Sequence, residues 1–187
     1  MTEKSTERYD LLSQFFHWAT ALAVLGAYLI EPHINRLLRQ GIDPGTSNSV
    51  VWHESLGIAV LVLTVLRLIW LALRALPPQL GLSPRMHRAA RITQGLLWVL
   101  VIITPLAALL ALAHKQAPLT LLGGLRWQEL PWIGSSALAQ MLDWGDIHEA
   151  LGNALLLIAG AHAAAALFHH FVLKDQVLAS MLPWRRN

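Results

Sequence analysis

Four long apolar blocks set this chain apart from an ordinary soluble domain. They cover residues 11–30, 52–73, 92–113 and 147–173. Each matches or exceeds the roughly 20 residues that a helix needs to cross a bilayer. In lipid every backbone N–H and C=O group must be paired within the protein, and a continuous helix achieves this by itself. The sequence therefore predicts an all-α fold, a four-helix transmembrane bundle that forms a single membrane domain over residues 1–187.

The charge content agrees with a surface that faces lipid. Only 13% of the residues are Asp, Glu, Lys or Arg, against about 25% in a soluble domain. The chain contains no cysteine, which excludes disulfides, thiolate metal sites, iron–sulfur clusters and covalently attached c-type haem. The basic residues follow a membrane pattern, so we predict no binding to nucleic acid.

The segments between the blocks are polar or rich in helix-breaking residues. They cover residues 31–51, 74–91 and 114–146. The first apolar block is followed by Glu31, Pro32 and His33 rather than by a small-residue cleavage site. It is also longer than the apolar core of a secretory signal, which has about 7–15 residues. We therefore expect this block to be a retained membrane helix.

Lysine and arginine are distributed unevenly between the two ends of the predicted helices. The larger group, on the side shared by both termini, comprises Lys4, Arg8, Arg67, Arg74, Arg85, Arg88, Arg91, Lys174, Arg185 and Arg186. The smaller group, on the other side, comprises Arg36, Arg39, Lys115 and Arg126. Basic residues concentrate on the cytoplasmic side of membrane proteins. We therefore expect both termini in the cytoplasm and a multi-pass protein of the bacterial inner membrane.

Histidines inside the apolar blocks are the clearest sign of a functional site. Ionisable side chains are costly in lipid and mark functional positions there. His148 and His162 lie 14 residues apart in the fourth block, which is roughly 21 Å along a helix axis at about 1.5 Å per residue. At about 100° per residue, they return to within roughly 40° of the same face. One helix face thus presents two imidazoles at two depths.

Two further histidines supply partners at matching depths. His53 begins the second block and lies level with His148, whereas His17 lies in the first block near the level of His162. Two stacked imidazole pairs suit two six-coordinate haems in the core of a bundle. We predict that these residues are axial ligands of two haem irons, His53 paired with His148 and His17 paired with His162.

Small residues follow each predicted ligand by one helical turn. In chain order they are Ala21, Gly57, Gly152 and Ala166. A flat porphyrin that lies against a helix needs such space beside its ligand. Small residues also allow membrane helices to pack closely, and alanine is frequent in this chain. The two glycines are therefore stronger evidence for a haem site than the two alanines.

Other polar residues accompany the predicted inner pair. Arg67 projects near its face and depth, where the guanidinium either binds a haem propionate or extends to the lipid headgroups. His169, His170 and Lys174 lie near the cytoplasmic end of the fourth helix. They form either a quinone-binding cluster or a merely interfacial one. His169 is also an alternative ligand to His162, because it lies seven residues later on nearly the same face.

A proton or metal transporter is the alternative that uses the same histidines. Such a path would need carboxylates beside the imidazoles. Only Glu54 and Glu149 qualify, and each directly follows a histidine. Adjacent residues lie about 100° apart on a helix, so these carboxylates point away from the predicted ligand face. The pattern therefore favours haem over a bare metal ion.

Several sequence motifs resemble those of the bacterial cytochrome b561 family, also described as nickel-dependent hydrogenase b-type cytochrome-like, and the resemblance covers essentially the whole chain. The matching stretches are Arg8-Tyr9, Phe16-His17-Trp18, His53-Glu54-Ser55-Leu56-Gly57, Val65-Leu66-Arg67-Leu68, Asp146 to Gly152, Gly160 to Ala165, His169-His170, Lys174-Asp175 and Met181-Leu182-Pro183 with Arg185-Arg186. The resemblance implies a four-helix bundle with two non-covalent b haems, ligated by His17, His53, His148 and His162.

The resemblance also implies electron transfer linked to the quinone pool. Some members are similar to a superoxide:ubiquinone oxidoreductase, which takes an electron from superoxide at the periplasmic face and passes it to quinone. For such an activity, the cations available on that side are Arg36, Arg39, Lys115 and Arg126. The alternative within this class is a haem-bearing anchor subunit for a periplasmic dehydrogenase or hydrogenase.

Overall fold

The computed structural model describes residues 8–74, 83–128, 133 and 136–183. The long helices are α1 (Leu11–Leu29), α3 (Asn48–Leu73), α4 (Pro84–Lys115) and α6 (Trp144–Phe168), which a π-helical turn continues over His169–Leu173. The short helices are α2 (Ile34–Arg39), a 3₁₀ turn at Pro44–Thr46, α5 (Ala137–Met141) and α7 (Val177–Ser180). Strand β1 (Leu119–Thr120) pairs with β2 (Arg126–Trp127) in a small antiparallel hairpin.

The four long helices are the membrane-spanning elements. In the described part of the chain, four helical segments are long and apolar enough to cross a membrane. Large apolar side chains on them point outward, including Leu22, Val62, Ile69 and Leu157. Such a surface is stable against lipid rather than water. The protein is therefore an integral membrane protein, and the predicted number of spanning helices is confirmed.

Three of the helices begin earlier than their apolar blocks. Helix α3 begins at Asn48 instead of 52, α4 at Pro84 instead of 92, and α6 at Trp144 instead of 147. Ser83 caps α4 by accepting a hydrogen bond from the Met86 N–H, and Pro84 needs no partner in the first turn because it has no N–H. The segment 84–91, predicted as part of a connection, is therefore helical. Its polar residues interrupt the apolar pattern, so the length of the apolar block alone did not predict this helical segment.

The helices associate as two pairs. Helix α1 packs along α3, and α4 packs along α6, whereas the two pairs meet mainly through α3 and α4. Contact between α1 and α6 is slight. The histidines of the first pair therefore face those of the second across a separation, rather than through close helix packing.

One end of the bundle, called here the terminal end, holds both the start of α1 and the C-terminal segment. Gln14 and Trp18 donate side-chain hydrogen bonds to the carbonyl oxygens of Ser180 and Met181, at 3.1 and 2.8 Å. Arg8 donates to Ala179 and Leu182 in the same segment. The C-terminal segment is thereby fixed against the helix that carries His17. Lys4, Arg185 and Arg186 lie outside the described residues, and so do Pro77, Pro78 and Pro131, which are among the helix-breaking residues of the predicted connections.

Asp10 joins α1 to the end of α3 at this terminal end. Its carboxylate accepts hydrogen bonds from the Ser13 N–H at 2.9 Å, Trp70 Nε1 at 2.9 Å and Arg74 Nη1 at 2.7 Å. Burial alone would raise the pKa of Asp10, but these hydrogen bonds outweigh it and lower the pKa well below its usual range. The ionised form is therefore the one that stabilises the fold.

The Asp10 contacts predict a pH-dependent stability difference. A lowered carboxyl pKa stabilises the fold at neutral pH, and this stabilisation is lost as the pH falls below the ordinary carboxyl value of about 4. We expect Asp10→Asn, which retains a capping side chain, to lower the thermal midpoint at pH 7, and the difference from the wild type to become smaller as the pH is lowered from 4 to 3. Thermal unfolding in detergent between these pH values measures the difference, and a difference that does not change with pH contradicts the assignment.

Candidate haem-binding site

The first imidazole pair lies at the end of the bundle opposite the termini, called here the hairpin end. The ring centres of His53 on α3 and His148 on α6 are 5.9 Å apart, with their planes at 83°. His53 Nδ1 lies 2.8 Å from the Ala27 carbonyl oxygen, and His148 Nδ1 lies 2.9 Å from that of Thr104. A carbonyl only accepts, so each Nδ1 carries the proton. Each Nε2 is then left with a lone pair that can bind a metal. This is the outer pair.

The second pair, called the inner pair, lies closer to the terminal end. The ring centres of His17 on α1 and His162 on α6 are 6.4 Å apart, with their planes at 71°. Both side chains are half-buried. In the described part of the chain, neither ring forms a hydrogen bond. The structure thus brings together the same two pairs that the sequence spacing predicts.

The ring separations fit one metal ion between the two imidazoles of each pair. An imidazole nitrogen binds a transition metal at about 2 Å and lies about 1 Å from its own ring centre. Two rings that ligate one ion from opposite sides therefore have centres about 6 Å apart. The outer pair at 5.9 Å and the inner pair at 6.4 Å both match this value.

Space for a flat macrocycle lies beside the outer pair. Gly57 follows His53, and Gly152 follows His148, by one helical turn. A Cβ atom added to either glycine would meet no other atom within 4 Å, although both residues are half-buried. Open space beside the ligands is what a porphyrin requires. The residues present therefore fit a haem.

The donor set does not fit a bare divalent ion. Among the described residues, no three histidine or carboxylate side chains come together at one point, whereas a protein-bound zinc ion needs at least three protein ligands. The Glu54 carboxylate accepts a hydrogen bond from the Thr120 N–H at 2.6 Å, so it serves the hairpin rather than a metal. Glu149 is exposed. Two imidazoles suffice only where a macrocycle supplies the other four ligands.

His169 does not take the place opposite His17. Its Nδ1 lies 2.5 Å from Asp175 Oδ2, while the ring that faces His17 is that of His162. Arg67 is half-buried, and its guanidinium lies over the Trp98 ring of α4, 4.9 Å from the ring centre. It lies close enough to interact electrostatically with both inner rings. Binding of a propionate by Arg67 stays a prediction.

Sequence reasoning missed the backbone groups that orient the outer imidazoles. The Ala27 and Ile30 carbonyls at the end of α1 both lie within 3.0 Å of His53 Nδ1. The Thr104 carbonyl immediately precedes Pro105, a proline inside α4. A backbone carbonyl has no residue-type signal, so nothing in the sequence marked these groups, and α4 has no histidine in its apolar block to suggest a contact with the outer pair.

The hairpin is fixed above the outer pair through two residues that follow His53. Glu54 accepts the Thr120 N–H, and the Ser55 hydroxyl oxygen accepts the Leu122 N–H at 2.8 Å. Arg126, on the other strand, pairs with Asp43 at 2.7 Å. The Arg126 guanidinium also lowers the pKa of Asp43. The charge of Arg126 is thus matched by a carboxylate, which the sequence alone did not indicate.

A membrane bundle with two opposed imidazole pairs, each spaced for one metal ion, has the architecture of a membrane cytochrome. The family model described as prokaryotic cytochrome b561 matches residues 8–184. The chain therefore belongs to the prokaryotic cytochrome b561 family, and is a membrane electron-transfer protein. Membership implies binding of b-type haem. The predicted family and the predicted class of cofactor are confirmed.

Relatives match over almost their full length. The chain is 31% identical to cytochrome b562 of Cereibacter sphaeroides over 177 residues, covering 93% of this chain and 94% of the relative. It is 28% identical to cytochrome b561 homolog 2 of Escherichia coli, with 94% and 92% covered. It is also 28% identical to "Probable superoxide oxidase CybB" of Yersinia pestis, with 97% and 99% covered.

Proposed function

We propose that this protein is a di-haem b-type cytochrome that transfers electrons between a periplasmic donor and the quinone pool of the bacterial inner membrane. The observation that carries the proposal is the pair of opposed imidazole pairs at two depths along α6. His53 and His148 would hold the outer haem, and His17 and His162 the inner one. Bound haem supplies the one-electron chemistry, and the protein supplies ligands, orientation and a low dielectric.

The outer ligands are held in a fixed orientation. Hydrogen bonds from their Nδ1–H groups to the Ala27 and Thr104 carbonyls fix the tautomer and make each Nε2 a stronger donor to the metal. The inner ligands lack such bonds in the described residues and lie near the positive charge of Arg67. We propose that Arg67 binds a propionate of the inner haem, because its position offers a cation close to His17 and His162.

The proposed orientation places both termini in the cytoplasm and the hairpin end in the periplasm. It is supported by the excess of basic residues on the terminal end. The outer pair then lies closer to the periplasmic surface, and the inner pair closer to the cytoplasmic one. Electrons from a periplasmic donor would accordingly enter at the outer pair.

Superoxide is the donor that we propose, by similarity to the relative named as a superoxide oxidase. A small anion is guided by unpaired positive charge. Arg126 is paired with Asp43, and the backbone N–H groups of Gly145 and Asp146, together with nearby Lys115, lower the pKa of Asp143. Both cations thus lie beside carboxylates. Arg36 and Arg39 on α2 are exposed and have no carboxylate partner in the described part of the chain.

Because Arg36 and Arg39 have no carboxylate partner in the described part of the chain, they are the cations that we expect to guide superoxide. We expect Arg36→Gln combined with Arg39→Gln to slow haem reduction by superoxide, and to weaken the dependence of the rate on ionic strength. The control is Arg85→Gln combined with Arg88→Gln, which removes the same charge from the terminal end. Stopped-flow measurement of haem reduction at several salt concentrations tests this prediction. Equal slowing in both double variants would contradict it.

The whole function is tested in liposomes that contain the protein and ubiquinone. We expect superoxide generated outside the liposomes to reduce the haems, and quinol to accumulate in the bilayer. If a haem-loaded protein is not reduced by superoxide, the proposed donor is wrong. If reduced haem is not reoxidised by quinone, the proposed link to the quinone pool is wrong.

A further inference from the structure

The first turns of α4 carry positive charge that no carboxylate in the described part of the chain balances. Arg85, Arg88 and Arg91 all lie there, and the whole helix contains no Asp or Glu. All three side chains are exposed, and none forms an ion pair with a described residue. The described part of the chain therefore leaves this cluster free to bind an anion from outside.

The carboxylates described at the terminal end are already paired with other cations. Asp10 lies 2.7 Å from Arg74 Nη1, and Asp175 lies 2.5 Å from His169 Nδ1. Both side chains are thus held in place by contacts on other helices. Neither carboxylate neutralises the arginines of α4.

The depth of the arginines matches the headgroup layer of a bilayer. The apolar block at residues 92–113 is roughly 33 Å long at about 1.5 Å per residue, slightly more than the hydrocarbon thickness of about 30 Å. Arg91 directly precedes this block, and Arg88 lies roughly 6 Å from its edge. Lipid phosphates occupy the layer next to the hydrocarbon. Both guanidinium groups therefore lie where phosphates are available.

An open groove lies at this end of α4. It has a volume of about 530 Å³, and the described residues that line it are Pro84, His87, Arg88, Arg91 and Ile92. Ligand sites in proteins have volumes of roughly 300–1,000 Å³, so the groove is large enough for a phosphodiester headgroup. The planar fork of an arginine matches two phosphate oxygens at once. The lining is therefore suited to a phosphate.

The same face of α4 continues into the membrane as an exposed apolar surface. Ile92, Leu96 and Val99 are 58%, 47% and 54% exposed. Gly95 follows Arg88 by seven residues and so lies on nearly the same face. It is exposed, and a Cβ added to it would meet nothing within 4 Å. The glycine thus leaves a depression among the apolar side chains, directly below the arginines.

We infer that this face of α4 is a binding site for one anionic phospholipid, with its phosphate on Arg88 and Arg91 and an acyl chain along Gly95. The two positive charges favour a lipid with net negative charge over a zwitterionic one. The apolar surface favours a lipid over a free phosphate, which would gain nothing from Ile92, Leu96 and Val99. The inference is independent of the haems and of the electron donor and acceptor.

The test counts lipids on the purified, haem-loaded protein by native mass spectrometry. Dioleoylphosphatidylglycerol is titrated in detergent, with dioleoylphosphatidylcholine as the neutral lipid of equal chain length. We expect the wild type to bind the first phosphatidylglycerol more tightly than phosphatidylcholine. Arg88→Gln combined with Arg91→Gln should raise the Kd for phosphatidylglycerol roughly tenfold or more, and should leave the Kd for phosphatidylcholine unchanged. The corresponding lysine double variant, which keeps both charges, should retain most of the preference.

The matched charge control is Arg36→Gln combined with Arg39→Gln, which removes two exposed arginines from the hairpin end. It should bind phosphatidylglycerol as the wild type does. The site is overturned if the Arg88 and Arg91 double glutamine variant binds normally, or if the control weakens binding equally. Wild-type haem content and elution volume in each variant show that the fold is intact.

Gly95→Leu separates a lipid site from a phosphate site. It fills the depression and should weaken phosphatidylglycerol binding, whereas Gly160→Leu, at an exposed glycine of α6 with equally open space, should not. A large excess of inorganic phosphate should fail to displace the lipid. Normal lipid binding by Gly95→Leu, or displacement by inorganic phosphate, would overturn the lipid assignment.

Discussion

Replacing His148 by alanine is expected to remove the outer haem and leave the inner one in place. The protein should then carry about one haem per chain instead of two, because a bis-histidine haem that loses one axial ligand has only a single imidazole to hold it. His53→Ala should give the same result, since the two rings face each other at 5.9 Å. Haem content by the pyridine hemochrome method, divided by protein concentration, measures the effect.

Replacing either histidine of the inner pair is expected to remove the inner haem instead. His17→Ala and His162→Ala should keep the outer haem, so they should differ from the outer-pair variants in the reduction potential of the haem that remains. His53→Ala combined with His162→Ala should lose both haems. His33→Ala and His87→Ala, which change exposed histidines away from the pairs, should keep the wild-type content. A full complement in either single variant of the outer pair would contradict the ligand assignment.

Filling the space beside His148 is expected to be as damaging as removing the ligand itself. Gly152→Leu places a large side chain where a Cβ now meets nothing within 4 Å. Leucine is a better helix former than glycine by roughly 1 kcal/mol, so the helix itself should not be weakened. We therefore expect a folded protein that lacks the outer haem, seen as about one haem per chain and an unchanged detergent-gel elution volume.

Gly160→Leu is the matched control on the same helix. A Cβ at Gly160 also meets nothing within 4 Å, but this residue is exposed and lies two positions before His162, away from the ligand face. It should keep both haems. If Gly152→Leu also kept both haems, the space beside Gly152 would not be the haem site. Equal haem loss in both variants would indicate a general effect of leucine on α6.

The membrane helices could be predicted from the sequence because lipid imposes a simple requirement. A helix that crosses must satisfy its own backbone and present apolar side chains, and four blocks did so. The extension of α4 back to Pro84 could not be found in this way. Its first turns carry Arg85, Arg88 and Arg91, which lie outside the apolar stretch, and only the cap at Ser83 marks the true start.

The imidazole pairs followed from helix periodicity and direction. His148 and His162 share one face of α6, and the up-and-down order of the helices sets the levels of His53 and His17. The supporting contacts did not follow, because they depend on tertiary packing. The carbonyl of Thr104 approaches His148 from a helix with no histidine in its apolar block, and a backbone group leaves no residue-type signal in the sequence.

The pairing of charges at the hairpin end also could not be predicted from the sequence. Arg36, Arg39, Lys115 and Arg126 are equivalent in a sequence count, yet the fold places Arg126 against Asp43 at 2.7 Å. The two residues are far apart along the chain and come together only because the hairpin folds back over α3. Which cations remain unpaired is therefore a property of the structure and not of the composition.

The haem content of the purified wild-type protein is the most direct test of the two proposed haem sites. The protein is produced with ample haem supply and shown to be monodisperse in detergent. Haem is then counted by pyridine hemochrome, and a reduced-minus-oxidised spectrum is recorded. Two opposed imidazole pairs predict two low-spin b haems per chain. A folded protein that carries one haem or none, under the same conditions, would contradict the assignment of two haem sites.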